Sequence, residues 1–369
     1  MVFTAAGHWN VRAQGATSNR QTLRQSTLRM HSPLQQLLDL PLSGDLLILT
    51  HDNPDPDSIS SAAAMQHLLS TKRGVRSVIA YSGVVGRAEN RAMVELLDLP
   101  IVPIGEIDQE AFPHIALIDA QPETGNHALP ADRTADIVID HHPLREATRR
   151  VRFFDVREEL GASATLMTLY LHEAGVEIPE TLATALLYGI RSETQDLVRE
   201  VSGDDFTAFE LLFPFANWGL LAQISRPRLH HSYFFQLARA IEVLKIGREI
   251  AVATLGEVND PDFVPEIADL IVRMEGLQWG LCTGSVGDRL YLSIRTNDTD
   301  AEAGELMRRI VTGLGSGGGH GMRAGGNVHL NLTDLSRAEI ERVVVERFVR
   351  ERGERPGDLR NFRESEARR

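Results

Sequence analysis

Cysteine is all but missing from this sequence: Cys282 is the single one among 369 residues. That excludes an internal disulfide framework and any zinc site built from several thiolates. A lone cysteine of this kind reads as a buried apolar thiol rather than a reactive one. Also absent is any run of about 18 apolar residues, the length a membrane-crossing helix needs. The N-terminus lacks the charged-then-apolar pattern of a secretory signal, so no membrane partner is expected and a reducing cytoplasm is the expected setting. Bases are outnumbered, 38 Lys and Arg against 51 Asp and Glu, for a net charge of -13. The resulting field opposes long duplex nucleic acid, and a nucleic-acid substrate would be short. The opening stretch lacks acids instead: Arg12, Arg20, Arg24 and Arg29 all precede the first one, Asp39. Residues 1–33 read as a flexible tail or a mis-set start, with a transit peptide as the minor alternative.

What is present is the composition of a soluble globular protein, 43% hydrophobic and 24% charged. The length suits two domains at roughly 100 to 200 residues each. From "LLDLPLSGDLLILT" onward, short β-like apolar runs ("LLILT", "RSVIAYS", "HIALIDA", "DIVIDHH") alternate with longer helical ones, "SISSAAAMQHLLSTKRG" with serine caps and "GRAENRAMVELLDL". This alternation predicts βαβ units and a parallel sheet. The expected architecture is an N-terminal parallel-sheet α/β domain over 34–215, a helical linker over 216–240, and a smaller α+β domain over 241–335. A terminal helix and a charged tail, 336–369, complete it.

The chemistry concentrates at strand ends. "HDNPDPDS" places His51, Asp52, Asp55 and Asp57 directly behind "LLILT"; "HIALIDA" closes on Asp119, and "DIVIDHHP" on Asp140, His141 and His142. Carboxylates so close disfavour one another's ionisation unless something positive lies between them. A lone Asp after a strand is more often a cap or turn former, and a His pair alone is more often polar surface. In an open parallel sheet, however, ligands bind beyond the carboxyl ends of the strands, and three of the four strands deliver Asp or His to that one rim. Histidine plus several carboxylates without thiolate suits Mn²⁺ or Mg²⁺, with Fe or Co also admitted. Two such ions about 3.5 to 4 Å apart, sharing a carboxylate, activate water for attack on phosphorus. Pro54 and Pro56 stiffen the loop in advance.

"HDNPDPDSISSA", "ALIDA", "VIDHHP" and "LLYGIRSETQDL" resemble, in order and spacing, the four motifs of the DHH phosphoesterases. The resemblance implies a binuclear centre of two divalent ions, usually manganese. By motif matching, His51 and Asp55 would bind one ion and Asp57 and His141 the other, with Asp119 bridging. Asp140 would orient its neighbours and His142 would face the scissile phosphate. The fourth motif departs from the family: Glu193 stands where an aspartate is usual, and Asp196, three residues on, is an alternative from the same helical face.

"GLGSGGGHGMRAGGNV" lacks the Lys-Ser/Thr of a phosphate-binding P-loop and precedes a strand instead of opening a helix, so it is no dinucleotide fingerprint. It resembles the "GGGH…AAG" signature of the DHH-associated C-terminal domain. That likeness implies substrate contacts from Gly318, Gly319 and His320, with Arg295 in "LSIRTND" as a phosphate clamp. Arg226, Arg228, His230 and His231 are further candidates for nucleotide phosphates, or simply a solvated linker face. Within the family the chain most resembles the oligoribonuclease/pAp phosphatase group. The expectation is a hydrolase of short nucleotide phosphoesters (nanoRNA, pApA, pAp or cyclic dinucleotides); a non-hydrolytic nucleotide-binding protein on the same fold is the alternative. Assembly as a homodimer is left open.

Overall fold

The computed structural model describes residues 32–363, so the basic N-terminal stretch up to residue 31 lies outside the described residues. The first part of the chain runs α1 (Pro33–Leu38), β1 (Leu46–Leu49), α2 (Pro56–Arg73), β2 (Ser77–Tyr81), α3 (Ala88–Leu97), β3 (Ile101–Pro103) and β4 (His114–Ile118). It continues through β5 (Ile137–Asp140), β6 (Phe153–Val156), α4 (Ser163–Glu173), α5 (Glu180–Glu193), α6 (Gly203–Leu212) and α7 (Trp218–Ser225). The remainder comprises α8 (His231–Val243), β7 (Lys245–Ile246), β8 (Ile250–Glu257), α9 (Phe263–Ile271), β9 (Trp279–Val286) and β10 (Arg289–Thr296). It ends with α10 (Ala303–Val311), β11 (Ser316–His320), β12 (Arg323–His329), α11 (Arg337–Glu351) and β13 (Arg360–Asn361).

Strands β1 to β6 form one sheet in the order β3-β2-β1-β4-β5-β6, every pairing parallel. The four expected strands are there. Leu46 and Ile48 face the core shared with α2, α4 and α5, while Leu47 and Leu49 face a smaller core on the other side. Burial on both faces is why "LLIL" is an unbroken apolar run instead of an alternating one. Two strands went unread, β3 and β6; they are short and largely half-exposed, so no apolar run marks them. The order reverses between β1 and β4, which opens a crevice at the carboxyl ends of those strands.

The start of α2 corrects the expectation of a serine cap. Asp55 is the cap: its side chain accepts from the Ser58 amide, and the Ser58 hydroxyl answers to the Asp55 backbone. The helix therefore begins at Pro56, a residue whose fixed φ suits a first turn.

The second sheet has the order β11-β12-β10-β9-β8-β7-β13, antiparallel except for the β8–β9 pair. The glycine-rich segment is not a loop ahead of a strand. It is itself the edge strand β11, hairpinned to β12. Gly319 has φ +144, and Gly304 of α10 lies so close to it that a methyl group on Gly304 would strike the Gly319 backbone. The stretch read as a charged tail supplies β13, while α11 buries Ile340, Val344 and Phe348 in the core under the second sheet. Among the described residues, no helix is long and apolar enough to cross a membrane.

Candidate metal centre

Three strand ends and one helix start meet at the crevice. Asp119 follows β4 with φ +57, a left-handed backbone that aspartate tolerates better than most side chains. Asp55 caps α2 and Asp57 sits in its first turn. Asp140 closes β5, and His141 and His142 follow.

Two groups of side chains share Asp119. In one, His51 Nε2 lies 3.5 Å from Asp55 Oδ1 and 3.6 Å from Asp119 Oδ2. In the other, His141 Nε2 lies 3.6 Å and His142 Nδ1 3.7 Å from Asp119 Oδ1. Within each trio the donor atoms are all within 4.8 Å of one another, a spacing that a cation between them could span. The ring orientations favour this. His51 Nδ1 is 2.9 Å from the Asp52 carbonyl and His141 Nδ1 is 3.1 Å from the Leu160 carbonyl. A carbonyl can only accept, so Nδ1 carries the proton, which leaves the Nε2 lone pair as the ligating atom. His141 Nε2 is buried and has no hydrogen-bond partner. A bound cation would satisfy that orphaned atom.

The electrostatics point the same way. Burial, reinforced by Asp119, Asp55 and Glu193, pushes the Asp57 carboxyl well above its ordinary value. Burial also raises Asp119, against the pull of His142. Burial works against a charged His51 and His142, yet Asp55 beside the first and Asp140 beside the second outweigh it and hold both imidazoles up at about 10. Against its own burial, Asp55 is driven below the usual carboxylate range by His51, and Asp140 falls to about 2 through its bond to His142. Without added cations the cluster draws protons to offset its carboxylates. Divalent ions can take that part, and the donor set of imidazoles and carboxylates fits Mn²⁺.

The other expected site residues are placed unevenly. Asp57 is 1% exposed and accepts the Ser163 and Ala164 amides at 2.8 and 2.7 Å, so it also caps α4; its Oδ2 is 3.8 Å from His141 Nε2. Asp140 accepts from the His141 amide at 2.8 Å and holds His142 Nδ1 at 2.9 Å. His142, 37% exposed along its side chain, is on the solvent side of the cluster. Glu193 ends α5, close enough to act electrostatically on Asp57 and His142, but its nearest charged partner is Arg323, at 3.9 Å. Asp196 is not on the helical face expected for it. The helix stops at Glu193, Gln195, Asp196 and Leu197 all take positive φ, and Asp196 turns out to pair with Arg191 at 2.6 Å. Arg295 is engaged by Asp269 at 2.5 Å, and Gly318 and Gly319 lie in β11, with the hairpin's Gly321 near Glu200. Asp52 is half-buried with one carboxylate oxygen fully enclosed.

Two residues were overlooked in the sequence. Gln121 clamps Asp140 Oδ2 at 2.6 Å, and the Ser163 hydroxyl donates to Asp119 Oδ1 at 2.9 Å. Gln121 stands two positions past Asp119, and that proximity was the one available signal.

Comparison with known proteins bears on this cluster directly. Residues 45–190 match the DHH family, N-terminal domain. They belong to the DHH family. The DHH domain thus spans every strand of the first sheet and all the clustered ligands. An uncharacterised protein of Methanocaldococcus jannaschii is 37% identical over 308 residues, 83% of this chain and 62% of that protein. A probable manganese-dependent inorganic pyrophosphatase of Lactiplantibacillus plantarum is 26% identical over 148 residues, 40% of this chain and 47% of the relative. The chain spans about half to three-fifths of the length of these two curated relatives. Among solved structures, an exopolyphosphatase-related protein from Bacteroides fragilis shares the fold with a TM-score of 0.66, over 84% of this chain and 93% of that one, at 13% identity.

Proposed function

We propose that this DHH-family protein is a metal-dependent phosphoesterase that hydrolyses short nucleotide phosphoesters. One observation carries the reading: buried Asp119 is shared by two ligand groups, each with its own histidine. Two divalent cations held there would activate a water and stabilise the leaving oxygen. The chain's own residues have separable tasks. His51 and Asp55 would hold one ion, His141 and Asp57 the other, and Asp119 both, with Glu193 reaching in from the end of α5. Asp140 fixes His142 with its ring at the mouth of the cluster, where it would donate a hydrogen bond to a phosphate oxygen. The manganese named for the pyrophosphatase relative agrees with this donor set. Arginines on the second sheet and the net charge of -13 favour a small nucleotide over a long strand.

The test is a Mn²⁺-dependent assay on pApA, pAp, cyclic di-AMP and short RNA. Turnover of at least one is expected, with Asp119→Ala abolishing it while leaving the protein folded. Absence of turnover by protein shown to hold two Mn²⁺ ions, or full activity in Asp119→Ala, would overturn the proposal.

A further inference from the structure

The corner between α6 and α7 turns aromatic rings toward solvent. The inner faces of both helices are already occupied: α6 buries Ala208 and Leu212, and α7 buries Leu221 and Ile224. Yet Phe206, Phe213, Phe215 and Trp218 are each 41–58% exposed. Among the described residues they are four of the seven exposed phenylalanine and tryptophan side chains, the others being Phe154, Phe234 and Phe235. The four form one ridge. Phe206, Phe209 and Phe213 follow one another at helical spacing, the Phe209 and Phe213 rings are 5.9 Å apart, and those of Phe213 and Trp218 4.7 Å. The ridge is also fixed in place: the Trp218 indole N–H donates to the Phe213 carbonyl, and Asn217 caps α7 while its amide donates to Glu180.

At about half of the roughly 200 Å² that a large aromatic side chain carries, the four leave about 400 Å² of ring surface in water. A standard interface takes about 800 Å² from each partner, a little over half of it apolar. The ridge has the size of the apolar centre of one such interface. Its flanks carry opposite charge. Asp204 and Glu210 are exposed on α6, Arg226 and Arg228 are exposed just past α7, and none of the four pairs with an opposite charge among the described residues. Glu180, also beside the corner, is already engaged by Asn217. At about 1.5 Å per residue, Asp204 lies about 13 Å before Phe213 and Arg226 about 12 Å beyond Trp218. An acidic and a basic arm of matching length about an apolar centre are what a two-fold axis pairs, because it lays α6 of one protomer beside the end of α7 of its partner. The acids on the ridge and the net charge of -13 disfavour an anionic membrane surface or a nucleic-acid strand as the occupant.

We propose that the α6–α7 ridge binds a second copy of this chain, forming a two-fold homodimer with Phe206, Phe213, Phe215 and Trp218 at the centre of the interface. Asp204 and Glu210 of each protomer face Arg226 and Arg228 of the other. The linker arginines thereby serve assembly instead of contacting nucleotide phosphates. The dimer is independent of the hydrolytic reading, since none of these residues belongs to the metal centre.

Sedimentation velocity on the full-length protein, from nanomolar to high micromolar concentration, reads the assembly. A species of twice the chain mass is expected. Phe213→Asp should raise the dimer dissociation constant by about 100-fold or more, since the substitution enters a two-fold interface twice. Asp204→Arg and Arg226→Asp should each weaken the dimer by about tenfold, and the double variant carrying both should return it to within about threefold of the unmodified protein. Restoration by the charge exchange is a result that a merely structural role for these side chains would not produce, and it decides the matter if Phe213→Asp does not fold. A monomer at every concentration, a dimer indifferent to Phe213→Asp, or a double variant as weak as the single ones refutes the interface. So does a monomer that binds phosphatidylserine vesicles or single-stranded RNA and loses that binding in Phe213→Asp, because the ridge would then serve a different partner.

Discussion

Replacing Gln121 with leucine keeps the approximate side-chain volume and removes five polar contacts at once. The Gln121 side chain is 1% exposed. Its amide nitrogen donates to Asp140 Oδ2 at 2.6 Å, the Pro143 carbonyl at 3.1 Å and the His142 carbonyl at 3.3 Å. Its carbonyl accepts from the Arg145 amide at 2.7 Å and the Thr148 hydroxyl at 2.8 Å. Gln121→Leu would strand a buried carboxylate oxygen, a backbone amide and a fully buried hydroxyl. At about 1 to 3 kcal/mol per orphaned group, the loss is roughly 3 to 9 kcal/mol. That is a large share of the about 5 to 15 kcal/mol by which domains are usually stable. Because Asp140 orients the residues that follow it, Mn²⁺ affinity should also fall by about 10- to 100-fold. Urea unfolding with metal chelated measures the first effect and Mn²⁺ titration the second. A stability loss below about 1 kcal/mol together with unchanged Mn²⁺ affinity would show that water or local repacking substitutes for the amide, and the reasoning would fail.

Gly304→Ala drives a methyl into the backbone of Gly319; α10 must withdraw from β11, with an expected cost of about 1 to 3 kcal/mol and faster amide exchange in the glycine strand. Burial, then Glu89, raises Glu266 from 4.5 to about 7. The folded state keeps a proton that the unfolded chain surrenders, so stability falls as pH rises from 4.5 to about 7. Glu266→Gln should flatten that part of the melting-temperature profile, and an unchanged slope would mean the carboxyl is not the source. EDTA should lower the melting temperature of protein loaded with Mn²⁺, since a ligand at about 100 times its Kd adds about 2.7 kcal/mol; identical melting curves would argue against a metal at the cluster.

Local chemistry made the first half of the chain legible. Apolar runs of four or five residues closing on Asp119 and on Asp140 read as strands buried on two faces and carrying acids to a shared rim. The end of α5 was harder to read. Nothing in "SETQDL" announces that three successive non-glycine residues turn to positive φ, so Asp196 looked helical when it is not. The glycine run misled for a related reason: its glycines serve close packing of β11 on α10, a demand made by a neighbour about a dozen residues away.

The sequence by itself determined which side chains could ligate a cation, because ligand type and strand-end position are local properties of the chain. It determined the parallel sheet for the same reason, through the alternation of short and long apolar runs. Only the tertiary structure decided that Asp119 serves two groups, that Gln121 holds Asp140, and that Asp269 lies between Arg87 and Arg295. Those facts depend on distances between atoms far apart along the chain, and such distances are set by strand order and by the packing of helices on both sheets.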